Sequence, residues 1–286
     1  MKRLLFALLW IFTFTIVSSA QTTFYFPQIA NGVQGGGVSW RTTIFITNPA
    51  PSGGGAVSGS ITFTGSDGSA FNLSFVDSNG APVGAGNTIP FQIAGGQSRK
   101  FVSTGQGELR SGFGVVTANG TINGTAVFTQ QSGNSLIGEA GVPAASLVGR
   151  QSIFVDEQAG FITGVAYANP NSASANITLQ LLNTEGNAVV QSTTRTLNAN
   201  QHTAAFVGDV FPGVVNVTGT MQINSNTPLA AIALRFSPSG PFTTLPPVTL
   251  AELVINPALL WLEKRNWLSP VTSLARLLAG LQVRMG

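Results

Sequence analysis

The middle of the chain reads twice. The segment Trp40-Arg41-Thr42-Thr43-Ile44-Phe45-Ile46-Thr47-Asn48-Pro49 recurs in character as Phe161-Ile162-Thr163-Gly164-Val165-Ala166-Tyr167-Ala168-Asn169-Pro170. Later landmarks keep the same order: Asp77-Ser78-Asn79-Gly80 against Asn183-Thr184-Glu185-Gly186, then Gly96-Gln97 against Asn200-Gln201. Phe128-Thr129-Gln130-Gln131-Ser132-Gly133 matches Arg235-Phe236-Ser237-Pro238-Ser239-Gly240. Self-similarity at domain scale predicts two copies of one unit and constrains the fold more than local propensity does. Two turns of the first copy, Asp67-Gly68 and Asp77 to Gly80, compete as counterpart of Glu185-Gly186.

Each copy reads as strands. Ile61 and Phe63 alternate with Ser60, Thr62 and Thr64, and Phe71, Leu73 and Phe75 alternate with Asn72 and Ser74. In the second copy Ile177, Leu179 and Leu181 alternate with Thr178 and Gln180, and Ile232, Leu234 and Phe236 with Ala233 and Arg235. A period of two with one apolar face marks antiparallel sheets covered on one side. Asp67-Gly68, Asn79-Gly80, Asn119-Gly120, Asn123-Gly124 and Glu185-Gly186 punctuate the runs with residues that suit tight turns. No amphipathic helix of any length is expected between Gln21 and Val248. The fold class that follows is all-β: two tandem antiparallel β-sandwiches of immunoglobulin-like size, residues 21–146 and 147–248. The first copy is the longer, through Gly53-Gly54-Gly55 and an extra hairpin near Phe71 to Val83. Gly138 to Ser146, with Pro143, reads as a short stiff linker.

The two ends are different material. Lys2 and Arg3 precede an apolar core from Leu4 to Val17, and Ser18-Ser19-Ala20 offers small residues before Gln21. Residues 1–20 therefore read as a secretory signal peptide, the core being short for a span of roughly 20 residues. Residues 249–286 read as a short helical amphipathic tail. Asn256-Pro257 and Ser269-Pro270 look like helix starts, and Val271, Leu274, Leu277, Leu278 and Leu281 form an apolar stripe. Packing on the second sandwich or another chain, contact with a membrane surface, and a gene-boundary artefact are competing readings of that tail.

Composition excludes several kinds of chemistry. The chain has no cysteine, so there are no disulfides, thiolate metal sites or thiol nucleophiles. Charged residues are only 8%, against about 25% in typical soluble domains. Between residues 21 and 246 there are seven basic and eight acidic side chains, a net of −1. The body has no basic patch for phosphate backbones, and no nucleic-acid partner is expected.

A triad would have to use His202, the only histidine, which the sequence places in a polar turn as the counterpart of about Ser98. One histidine without cysteine cannot build a zinc site. The oxygen donors of Asp67-Gly68 and of Asp77-Ser78-Asn79-Gly80 lack the bidentate Glu that calcium loops use, so both read as hairpin turns. Glu108 with Glu139, and Asp156 with Glu157, are the carboxylate pairs available for a hydrolase. Gly35-Gly36-Gly37 and Gly53-Gly54-Gly55 lack the Lys and helix of a phosphate-cradling loop. Trp40, Tyr25 and Tyr167 are the stacking residues a sugar-binding face would need, although the Trp40–Phe161 match favours a core role for Trp40. No catalytic, cofactor-binding or metal residue is assigned, and no cofactor or enzyme activity is expected.

Residues 24–248 resemble a tandem immunoglobulin-like β-sandwich module of exported, largely uncharacterised proteins of soil bacteria. The resemblance rests on Phe26-Pro27-Gln28-Ile29-Ala30-Asn31-Gly32, on Trp40 with Thr42-Thr43 and the two Asn-Pro turns, and on Glu139-Ala140-Gly141-Val142-Pro143-Ala144. It covers the body and not the tail. It implies export and an immunoglobulin-like fold, and brings no catalytic residues. The expectation is a non-catalytic secreted or envelope protein acting in adhesion, surface assembly or ligand binding, with protein or polysaccharide partners at the cell surface. The alternative is a carbohydrate-binding module, which needs an exposed aromatic row.

Overall fold

A computed structural model describes residues 21–251. The expected signal peptide, and the tail from residue 252 onward, lie outside them. The described chain is all-β; its strands pair antiparallel, and the only helical pieces among the described residues are a 3-10 turn at Gly35–Gly37 and one short α-helical turn. The first ten strands are β1 (Thr22–Gln34), β2 (Val38–Thr47), β3 (Val57–Gly65), β4 (Leu73–Val76), β5 (Pro82–Gly86), β6 (Thr88–Ile93), β7 (Ser98–Ser103), β8 (Arg110–Ala118), β9 (Asn123–Ser132) and β10 (Ser135–Pro143). They make two layers, β6-β3-β8-β1 and β5-β4-β7-β2-β9-β10. Alternation along the strands, read from the sequence at Ile61, Phe63 and Phe75, turns Ile61, Phe63, Ile89 and Phe91 of one layer toward Ile44, Phe75, Phe101 and Phe128 of the other. Phe63 and Phe75 stack at 5.2 Å.

β1 belongs to both layers. Thr22 to Asn31 pairs with β8, while Gly32 to Gln34 pairs with β2. Its register slips between Phe26 and Ile29, around Pro27, which has no N–H to give a ladder. The change of layer falls on Gly32 at φ 121°. A Cβ there would sit 2.3 Å from the Glu108 carbonyl oxygen, so only glycine fits.

The second set comprises β11 (Val148–Asp156), β12 (Ile162–Asn169), β13 (Ala175–Asn183), β14 (Thr193–Leu197), β15 (Gln201–Phe206), the helical turn α1 (Val207–Val210), β16 (Thr218–Phe236), β17 (Phe242–Leu245) and β18 (Val248–Thr249). Here β16 joins the layers. Residues 218–225 pair with β11 and β13, and residues 230–236 pair with β12 and β17. The layers are β14-β13-β16-β11-β18 and β15-β12-β16-β17.

The Asn-Pro and Thr landmarks become corner braces. Thr42 Oγ1 donates to the Ala30 carbonyl at 2.8 Å and accepts from the Ala30 N–H at 3.1 Å. Thr163 does the same to Asp156, at 3.1 and 2.9 Å. Asn48 is buried and donates to the Gly55 and Ile93 carbonyls while accepting from Ala50 N–H. Asn169 donates to Ala173, Leu197 and Asn198 carbonyls and accepts from Asn171 N–H. In both places an amide side chain replaces ladder partners that the proline following it cannot supply.

Two sequence expectations change, and one open choice is decided. Gly138 to Pro143 is not linker but the paired length of β10; the connection is Ala144 to Leu147. The turn equivalent to Glu185-Gly186 is Asp67-Gly68, since each follows the strand in the same place and is closed by a bridge, Thr64 to Ala70 and Leu182 to Ala188. The Asp77 turn instead closes the extra β4–β5 hairpin. The other change is that the face alternation fails in β12 and the second half of β16. Val165 to Asn169 and Leu229 to Ala233 are buried without a break. Val165, Tyr167, Ala231 and Ala233 enter the second core, whereas Ala166 and Ile232 enter the first. This layer is covered on both faces, and such sheets lose the polar half of the alternation. The described residues through Thr249 accordingly form one compact unit.

Candidate functional site

The junction between the two sandwiches is where side chains of different origin converge. Trp40 of β2 lies 5.4 Å from Phe242 of β17, Phe242 lies 5.3 Å from Phe236 of β16, and Phe236 lies 5.7 Å from Phe206 of β15. The four rings thus run from one sandwich into the other, tilted or edge-on, in the geometry that aromatic pairs prefer. Gly138 makes room for this, since a Cβ there would meet the Phe242 ring at 2.8 Å. Polar contacts flank the rings. Thr244 Oγ1 donates to the Gly141 carbonyl, and Tyr25 and Ala145 exchange backbone bonds at 2.9 and 2.8 Å.

Beside the rings lies a cleft of about 480 Å³, within the roughly 300–1,000 Å³ of small-molecule sites. β1, β2 and β9 supply Gln28, Gln34, Trp40 and Phe128. The doubly covered layer supplies Gly164, Ala166, Ala204, Ile232 and Phe236, with Phe206 and Asp209 at the helical turn. Small residues on β12 and β15 create the depth. Trp40 Nε1 donates to Gln34 Oε1 at 3.1 Å, and Asp209 Oδ2 accepts from Phe206 N–H at 3.3 Å. Gln28 Oε1 is buried with no protein partner. Phe206 is 42% exposed, so one end of the ring series is open to ligand.

His202 is not in an ordinary turn. It is the second residue of β15, is buried, and its Nδ1 lies 2.9 Å from Ser66 Oγ on the first sandwich. Burial holds its pKa down at about 3, so the ring is neutral at physiological pH. Its opposite number in sequence, Ser98, is an exposed residue of β7. The two positions are therefore not alike.

The carboxylates are structurally engaged. Asp156 binds Arg235 through Nε at 2.7 Å and Nη2 at 2.6 Å. Partial burial works against its charge, but the Arg235 bond and the Gln158 N–H hold its pKa below the usual range. Glu157 accepts from Thr163 N–H at 2.8 Å; burial pushes its pKa up against that bond, and the neighbouring Asp156 adds to the rise. Arg235 also lies 3.3 Å from the centroid of Phe161, so the counterpart of Trp40 is a cation platform rather than a cleft wall. Glu139 accepts from Thr129 Oγ1 at 2.7 Å, and Glu108 is an exposed residue preceding β8.

Both turn aspartates cap their own turns. Asp67 Oδ1 accepts from the Ser69 hydroxyl and N–H, which lower its pKa. Asp77 Oδ1 accepts from Asn79 and Ala81 N–H. Among the described residues no group of three His, Cys, Asp or Glu side chains is placed to hold a metal. Gly36 and Gly37 close the β1–β2 turn at positive φ, and Gly53 sits in the β2–β3 loop. Tyr167 is in the second core, Tyr25 is half-buried, and Trp40 is half-buried at the cleft. The sequence drew attention to Trp40, Phe236 and Gln28 without placing them together. The signal it held was the uninterrupted run Leu229-Ala230-Ala231-Ile232-Ala233, too apolar for a sheet with one wet face. The chain matches no protein-family model, no curated protein and no solved structure.

Proposed function

We propose that the chain is a non-catalytic exported protein that binds a ligand at the cell envelope, in adhesion or surface assembly, through the cleft between its two sandwiches. The cleft carries this reading: it is deep, mostly apolar and lined from both sandwiches, with an aromatic series along one wall. Sites of that make are binding sites by default. The engagement of Asp156 and Glu157 by Arg235 and Thr163 favours binding over hydrolysis. Two further points support a duplicated immunoglobulin-like module. The layers β6-β3-β8-β1 and β14-β13-β16-β11 follow one order, and Thr42 and Asn48 are braced as Thr163 and Asn169 are. A polysaccharide face is the weaker reading, because Tyr167 is core and the junction rings lie against one another rather than in an open row.

The test is export followed by capture. The chain expressed in a bacterial host is assayed in medium, periplasm and membranes, and the purified protein is then applied to envelope fractions. The expected result is export with saturable capture that Ala204→Trp, which fills the cleft, abolishes. Cytoplasmic retention, or capture indifferent to that substitution, sinks the proposal.

A further inference from the structure

The charge and the rings of the cleft narrow its ligand class, an inference that rests on the binding reading just given. We infer that the cleft takes a monovalent organic cation, an amine or quaternary ammonium on an aromatic or alkyl body. Its charged head sits beside Asp209 and Phe206, and its body lies against Trp40 and Ile232. Three observations converge: the sign of the charge in the cleft, the place of that charge, and the wall next to it.

Asp209 is the one charged residue among those that line the cleft, and no Lys, Arg or His joins it. Among the described residues its carboxylate takes one hydrogen bond, from Phe206 N–H at 3.3 Å to Oδ2, and no ion pair. Oδ1 is thus left open. An anion entering would shed water, meet a carboxylate and find no cation, whereas an ammonium finds its counter-charge. Asp209 and Phe206 are exposed, while Phe128 and Ile232 are buried. The charge therefore stands at the mouth and the apolar surface lies deeper. A cation held there keeps part of its hydration, and an uncharged body is what the interior accepts.

The ring beside the carboxylate is the third observation. The bond from Phe206 N–H to Asp209 brings carboxylate and ring to one corner. The Phe206 ring is 42% exposed, with Phe236 5.7 Å away. Aromatic faces attract cations through their quadrupole and offer nothing comparable to an anion. Rings and carboxylate favour the same sign.

The experiment uses the full chain and three probes of one skeleton: naphthylethylamine as the cation, naphthylethanol as its neutral counterpart and naphthylacetate as the anion. Binding is read by titration calorimetry at low and high salt. The expected result is saturable binding of the amine, about tenfold tighter than the alcohol, with the acetate weakest. Added salt weakens the amine and spares the alcohol. Asp209→Asn keeps an acceptor for Phe206 N–H, so the turn stays while the charge goes. It narrows the amine-to-alcohol ratio to about threefold and leaves the alcohol unchanged. Phe206→Leu keeps apolar bulk without a π face and roughly halves the same ratio. Ala204→Trp removes all three probes. Should that variant lose its native circular dichroism, Ala204→Leu serves as a smaller plug.

Equal affinity for amine and acetate overturns the inference, as does an amine-to-alcohol ratio that survives either Asp209→Asn or Phe206→Leu. The two proposals fail separately. Envelope capture abolished by Ala204→Trp, in a protein that does not prefer the amine, overturns the ligand class alone. Amine binding as expected, with capture indifferent to Ala204→Trp, overturns the envelope function alone.

Discussion

The imidazole Nδ1 of His202 and the hydroxyl of Ser66 meet at 2.9 Å across the junction, on a ring whose other nitrogen is buried without a partner. The Ser66 hydroxyl also donates to the Ser111 carbonyl at 3.0 Å. With its proton so used, Ser66 Oγ accepts from His202 Nδ1–H, and Nε2 carries only a lone pair. A second proton would place an unsatisfied N–H and a buried charge between the sandwiches.

Acid therefore weakens the junction. Burial lowers the folded pKa of His202 from 6.5 to about 3. Its contribution is complete above pH 6.5 and falls away as pH drops toward the folded value, because the unfolded chain takes a proton that the folded one refuses. The expected slope from this group is up to about 1.4 kcal/mol per pH unit. Urea unfolding between pH 8 and pH 4 checks it, with His202→Gln losing that part of the slope.

Asn48→Ala is expected to cost about 2–4 kcal/mol, since it strands the Gly55 and Ile93 carbonyls and the Ala50 N–H at once. Asn48→Asp should be worse, because an ionised carboxylate has no donor for two carbonyls. Asn169 should behave alike. Urea midpoints at neutral pH decide this; an Asp variant as stable as wild type would contradict it.

Arg235 is both paired with Asp156 and laid over Phe161. Arg235→Lys keeps the charge but loses the fork and the flat stacking surface. A loss of about 1 kcal/mol is expected for Lys and about 2 kcal/mol for Ala, modest because the pair is a quarter to a third exposed. The Asp156 part is present above the ordinary carboxylate pKa and lost as pH falls below it, because its folded pKa is the lower one. Thermal unfolding of the variants at pH 7 and pH 3 separates the two contributions.

Phe242→Ala removes a buried ring that both Trp40 and Phe236 lean on, at an expected cost of about 3–5 kcal/mol. Gly138→Val approaches the same ring from the other side, where even a Cβ stands at 2.8 Å. Both should speed limited proteolysis at Ala144 to Leu147, which connects the sandwiches. Unchanged cleavage there would show that the rings do not hold the junction.

Much of the fold was readable because one-sided burial writes itself as alternation, as at Ile61 and Phe63 or Ile177 and Leu179. Thr42 and Asn48 stood out for the same reason that they recur as Thr163 and Asn169: each has a bonding role fixed by the backbone around it. The junction was harder. Ile232 and Ala233 point to different cores, yet both are simply apolar, and no local rule says which neighbour covers a second face. His202 looked like a turn residue because Asn198 to Gln201 is a turn; its burial depends on Ser66, 136 positions away. The cleft was invisible for a similar reason. Its walls come from strands far apart in the chain, and its depth comes from alanines whose significance lies in what they leave empty.

The layer that carries Ala166 and Ile232 sets a limit on how this protein can be taken apart by recombination. A sandwich with one dry interior can be moved between genes as a self-contained cassette. Severed near Ala145, the second sandwich would instead carry a raw sticky face, and chance self-association through it would compete with any new host. Lineages that reshuffle this chain would be expected to copy or lose residues 21–249 whole.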